Sequence, residues 1–238
     1  MIFTQKYSGS TGNCYLLELA SGQQIVIDPG VPWRKLQKAL DHKLDRVECC
    51  LASHFHGDHC KAVPDLLKAG IPVYASEPTL TALGVQDHHN AHFLSAGCPE
   101  FIGRTSVYAF PTEHDCDGSL GFIVRDNDTK ESLLFATDTA MIKHLFAYPF
   151  DIIVIECSYH PDILQKRVDE KTIDESLAKR LLDSHMSFDI TLSYLKRCNL
   201  SRCKEIHIIH CSKENLDMER ARKQIEEELF IPVRTIVT

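Results

Sequence analysis

The segment Ser53-His54-Phe55-His56-Gly57-Asp58-His59 constrains this chain more than any other, because four side chains able to hold a metal fall within six residues. It directly follows an apolar run that ends at Leu51. In an extended or turning segment alternate residues share a side, so His54 and His56 point together, while Asp58 and His59 follow at the start of a helix. One segment can therefore serve two ions. Imidazole and carboxylate at this density are the donor set of zinc and related divalent metals.

Further donors stand alone after later apolar runs. His114 follows Val107-Tyr108-Ala109-Phe110-Pro111, Asp138 follows Leu133-Leu134-Phe135-Ala136-Thr137, and His210 follows Ile206-His207-Ile208-Ile209. Strand ends along one sheet edge are where a rigid scaffold gathers distant residues. Of the 13 His in the 238 residues, those at 54, 56, 59, 114 and 210 thus share a destination.

The chain carries 26 Lys+Arg against 33 Asp+Glu, a formal charge of −7, which argues against a protein that coats nucleic acid. At 44% hydrophobic and 25% charged it reads as a soluble globular chain with a sizeable core, expected as a single domain over 1–238. No apolar run approaches the roughly 20 residues of a membrane helix, and the first residues lack the apolar core of a signal peptide. A cytoplasmic location is expected, with no membrane partner. The ten Cys include no CxxC and read as reduced thiols in the core. Cys60, Cys116 and Cys211, beside presumed ligands, read as packing thiols.

Short apolar runs closed by polar turns predict strands at 13–19, 24–28, 46–51, 105–110, 120–125, 132–136, 151–155, 205–209 and 233–237. Helical patterns fall at 33–40, 61–68, 173–182, 190–197 and 214–229. Two βα halves are implied, which suits an α/β fold with sheets face to face and helices outside, a four-layer αββα sandwich.

The order HxHxDH, His114, Asp138 in a Thr-Asp-Thr context and a late His210 resembles the metallo-β-lactamase-fold superfamily. Ile25-Val26-Ile27-Asp28-Pro29-Gly30 is similar to its strand-end Asp-x-Gly motif. The resemblance covers most of the chain. It implies that His54, His56 and His114 bind one metal and Asp58, His59 and His210 a second, with Asp138 bridging and Asp28 orienting a ligand from behind. The metals implied are two divalent ions, zinc first, with manganese or iron as alternatives. Antibiotic-hydrolysing members place Cys where this chain has Asp138, and oxygen-reducing flavo-diiron members place Glu where it has His56, which leaves hydrolysis.

Gly9-Ser10-Thr11-Gly12-Asn13-Cys14 resembles the opening motif of the YycJ-like (WalJ-like) branch, whose members are regarded as nucleases or phosphodiesterases. Glu156-Cys157-Ser158-Tyr159, Ser184-His185-Met186-Ser187 and His210-Cys211-Ser212-Lys213-Glu214-Asn215 resemble its later motifs. The chain departs from the branch at Ser184, Phe188 and His160, where Gly, Asn and Asp are usual. This resemblance implies a hydroxide bridging two metals that attacks phosphorus, with Asp58 or Asp138 taking the proton of water and His185 protonating the leaving oxygen. Lys166, Arg167, Lys213 and Asn215 would contact phosphate. The expected substrate is a phosphodiester, either single-stranded nucleic acid or a small nucleotide. A thioester or lactone hydrolase is the alternative, followed by a non-enzymatic metal-binding module. His88, His89 and His92 form a polar loop cluster, and His42, His144 and His207 read as ordinary surface or core.

Overall fold

The apolar runs of the chain become strands whose C-terminal ends carry its polar motifs. The computed structural model describes residues 1–9 and 11–234. It has a mixed α/β architecture of two sheets with helices, as the sequence pattern and resemblance led us to expect. The described residues fall into two compact units, one within 1–111 and 116–132, the other within 112–115 and 133–234.

The first unit contains β1 (Ile2–Tyr7), β2 (Cys14–Glu18), β3 (Gln24–Ile27), α1 (Trp33–Ala39), β4 (Val47–Leu51), α2 (Gly57–Cys60), α3 (Val63–Lys68), β5 (Val73–Ala75), α4 (Glu77–Ala82), β6 (Ala91–Phe93), β7 (Pro99–Ile102), β8 (Thr105–Pro111) and β9 (Leu120–Asp126). Strands β1 to β6 form a sheet in sequence order, antiparallel up to β3 and parallel beyond it, while β7, β8 and β9 form an antiparallel ladder. Leu36 of α1 and Val63, Leu66 and Leu67 of α3 bury against Val26, Cys50 and Val73 of this sheet. Burying a Leu or Val side chain in this way contributes about 1.5–3 kcal/mol. Ile27 pairs with Leu51 in parallel register, so Asp28 and the histidine segment leave the sheet at the same edge.

The second unit contains β10 (Ser132–Ala136), β11 (Ile152–Glu156), α5 (Pro161–Asp169), α6 (Glu175–Ser184), α7 (Phe188–Arg197), β12 (Glu205–Ile209), α8 (Met218–Leu229) and β13 (Val233–Arg234). These strands form a parallel ladder. Ala136 pairs with Ile155 and Glu156 with Ile209, which brings Asp138, Glu156 and His210 to one edge. Every residue of β10 and β11 is buried, the burial typical of parallel strands.

Several boundaries differ from the sequence reading, each for a local reason. The helix expected at 61–68 is α3, starting at Val63 and separate from α2 before it, because Pro64 lies in the first turn of α3 and has no N–H to continue a helix from α2. Helices α6, α7 and α8 start where Asp174, Ser187 and Asp217 accept from the N–H of Ser176, Ile190 and Arg220. Strands β1, β5, β6 and β7 and helices α4 and α5 were not expected from pattern. Ser10 of the opening motif and residues 235–237 of the last expected strand lie outside the described residues. Among the described residues no helix is long and apolar enough to cross a membrane.

Candidate metal centre

In the first unit a buried carboxylate organises the histidine segment. Asp28 is fully buried, and its φ of 51° turns the chain sharply at the end of β3. Oδ1 accepts from Ser53 N at 2.7 Å, and Oδ2 accepts from Ser53 Oγ at 2.8 Å and from His59 Nδ1 at 2.9 Å. Ser53 has a single hydroxyl proton, spent on Asp28, so its contact with His54 Nδ1 at 2.9 Å is one in which the imidazole donates. Both rings thereby keep their lone pair on Nε2. Their centroids lie 4.2 Å apart, and His54 and His56 lie 4.8 Å apart.

The turn before this segment is held from below. Asn13, fully buried, donates from its backbone N–H to Asp58 O at 2.8 Å and from Nδ2 to the same oxygen at 3.2 Å, and Nδ2 lies 3.0 Å from His59 Nε2. Gly30 lies so close beneath Asp58 that a Cβ there would sit 1.6 Å from its carbonyl oxygen. The Asp-x-Gly and Gly-Asn motifs thus converge on one short stretch of backbone.

In the second unit, Asp138, Glu156, His185 and His210 each offer a ligand atom, all within 4.8 Å of one another. Asp138 and His210 have φ of 44° and 52°, the left-handed region that residues other than Gly enter at a cost, and such strain concentrates at functional sites. His185 Nδ1 lies 2.6 Å and His210 Nδ1 3.2 Å from Glu156 Oε1, while Oε2 accepts from Thr139 N at 2.7 Å. The two rings stack at 5.0 Å. His114 Nδ1 donates to Ser184 O at 3.2 Å, since a carbonyl can only accept. Its Nε2 lies 3.8 Å from Asp138 Oδ2, and that of His210 3.5 Å from Oδ1.

The electrostatics follow from this geometry. Burial alone would raise Glu156, yet the charges and hydrogen bonds of His185 and His210 hold it below the usual carboxylate range. Burial pulls His185 down, but Glu156 outweighs it and leaves the imidazole above its ordinary value. For His114 burial wins over Asp138 and Asp115, so it stays neutral more readily.

His185 places Nδ1 on Glu156, and four further imidazoles, those of His54, His59, His114 and His210, place Nδ1 on an oxygen acceptor and turn the basic Nε2 the other way. This is the donor chemistry that divalent transition metals take, so the residues present fit such ions.

Residues 23–208 match the family model described as a β-lactamase superfamily domain. The chain belongs to the β-lactamase superfamily. Solved structures with the same fold include the metallo-β-lactamase-fold protein YhfI from Bacillus subtilis, at TM-score 0.75 and 14% identity over 98% of this chain and 95% of that one. Igni18, a metallo hydrolase from the archaeon Ignicoccus hospitalis, matches at TM-score 0.70 and 15% identity over 98% and 94%. A diphosphatase of the PhnP family matches at 0.67 and 14%, again over 98% and 94%. No curated protein matches. The metallo-hydrolase fold of the superfamily and a His/Asp cluster able to bind metal are therefore both present.

Glu156 is the site residue that sequence reasoning missed as such. Its signal was a carboxylate closing a wholly apolar strand, Ile152-Ile153-Val154-Ile155-Glu156. Arg167 donates to Asn215 Oδ1 at 2.7 Å and pairs with Glu214 at 2.6 Å, Lys166 lies 3.8 Å from Glu170, and Lys213 is exposed. His88 and His89 stack on each other and His92 on Tyr74, and among the described residues none of them belongs to a three-donor cluster.

Proposed function

We propose that this superfamily member is a dinuclear metal-dependent phosphodiesterase or nuclease of the YycJ-like kind. The observation that carries the reading is the buried Glu156–His185 pair, which supports a proton donor beside the metal-binding donors. His54, His56 and His114 would hold one ion, Asp58, His59 and His210 the other, and Asp138 both, with zinc the preferred metal. Bound divalent ions supply Lewis-acid chemistry, polarising a phosphoryl oxygen and acidifying water.

The chain's own residues do the rest. Asp58 or Asp138 accepts the proton of the attacking water. His185, which Glu156 holds above its ordinary value, would donate a proton from Nε2 to the departing oxygen, a role worth about 10²- to 10⁴-fold in rate. Asp28 keeps His59, and through Ser53 also His54, in the tautomer that binds metal. Lys166, Lys213 and the Arg167–Asn215 pair are the candidate phosphate contacts. The formal charge of −7 favours a local, site-directed substrate over long nucleic acid.

The test is metal analysis together with a panel of bis-p-nitrophenyl phosphate, single- and double-stranded DNA and RNA, thioesters and lactones, run on wild type and His185→Ala. Phosphodiester cleavage that His185→Ala impairs supports the reading. Faster turnover of thioesters or lactones, or inertness of the metal-loaded protein on every substrate, overturns it.

A further inference from the structure

We propose that Cys116 supplies a thiolate ligand to the metal ion held by His54 and His56. Within the first unit, Cys116 Sγ and a ring nitrogen from each of His54 and His56 all lie within 4.8 Å of one another. A tetrahedral zinc with its usual bond lengths keeps neighbouring donors roughly 3.3–3.7 Å apart, so closing these three atoms on an ion takes a contraction of about 1 Å. Side-chain rotation supplies such a shift.

The loop that bears Cys116 is anchored to the histidine segment. Leu120 N donates to Ser53 O at 2.9 Å, immediately before His54. Gly118, at φ 74°, packs so tightly that a Cβ there would lie 2.5 Å from Ser76 Oγ. Between these points and the histidines the Cys116 side chain is half-buried.

Cys60 is the contrasting thiol. Its Sγ donates to His54 O at 2.7 Å. Cys116, whose Sγ lies among the ring nitrogens of His54 and His56, is the thiol placed to ligate, its proton passing to solvent as the sulfur–metal bond forms. The ligand set implied by the family resemblance is made of His and Asp alone. A thiolate is softer, and biases the position towards zinc and against manganese or magnesium. The inference rests on the reading that His54 and His56 take a metal.

Cobalt substitution tests it without any activity measurement. Cobalt-loaded wild type is expected to show a near-ultraviolet thiolate-to-cobalt charge-transfer band, which Cys116→Ser loses while still binding cobalt and Cys98→Ser keeps. In wild type, zinc is expected to protect Cys116 from iodoacetamide, read by peptide mass spectrometry, which covers the case of a Cys116→Ser chain that does not fold. Cobalt bound without that band, a band that survives in Cys116→Ser, or alkylation indifferent to zinc overturns the ligand while leaving the metal reading in place. Failure to bind any metal overturns both.

Discussion

Oε1 of Glu156 lies 2.6 Å from Nδ1 of His185, with Glu156 fully buried at the end of an otherwise apolar strand. A charge placed there costs desolvation, which its pairing with two imidazoles offsets. If His185 protonates the leaving oxygen, the need for it scales with the basicity of that oxygen. His185→Ala should lower kcat by about 10²- to 10⁴-fold on alkyl or nucleoside phosphodiesters and by much less on p-nitrophenyl esters, whose leaving group needs no proton. Glu156→Gln should follow the same leaving-group trend more mildly. Equal losses on both substrate types would assign the pair a structural role.

Asp28 governs a tautomer, and removing its charge should register as lost metal affinity. In Asp28→Asn the amide presents a donor where Oδ2 now accepts from Ser53 Oγ and His59 Nδ1. His59 is then driven to carry its proton on Nε2. Zinc affinity measured against a chromophoric chelator should fall about 10- to 100-fold, the usual cost of losing such a partner. An unchanged affinity would sink the tautomer argument.

The parts of this site that were legible before the structure share one property, dense local chemistry beside an apolar run. His54 to His59 follow β4, and Asp138 and His210 follow β10 and β12, whose apolar character is plain in sequence. Glu156 escaped because one carboxylate at a strand end looks like a solvated terminus, and only the parallel register with Ile209 shows it facing His210. Strand β1, Ile-Phe-Thr-Gln-Lys-Tyr, is half polar and is a strand through its pairing with β2. Helix α5 buries Leu164 alone among its nine residues, so no apolar face announced it. Tertiary pairing, absent from local pattern, made these elements.

Gly30 should be the least replaceable glycine near the histidine segment. Its added Cβ would meet Asp58 O at 1.6 Å and His59 N at 2.6 Å, both backbone atoms that no rotamer change can move. Gly30→Ala should therefore destabilise by the upper end of the roughly 1–3 kcal/mol typical of overpacking, or more, in urea unfolding. Gly57→Ala is the control, since a Cβ there meets nothing within 4 Å. Comparable losses in both variants would show that the close approach is not what constrains Gly30.

His160 ties acid stability to the start of α8. It is almost wholly buried, stacks on Phe188 at 4.8 Å and accepts from Asp217 N at 3.2 Å through Nδ1, while its Nε2 has no hydrogen-bond partner. Burial, then the charge of Arg220, pull it below the ordinary 6.5 against the opposing pull of Asp162, Asp217 and Asp189. The unfolded chain therefore takes up the proton first as pH falls, so the stability His160 contributes is full above 6.5 and drains away between 6.5 and its lower folded value. Protonation would also turn Nδ1 from acceptor to donor against the Asp217 N–H. His160→Asn keeps an acceptor and has nothing to titrate, so its urea midpoint should fall less than that of wild type between about pH 7.5 and about pH 5. His207, which burial also lowers, should preserve part of the decline in the variant. An identical decline in wild type and His160→Asn would show that other groups carry the acid sensitivity.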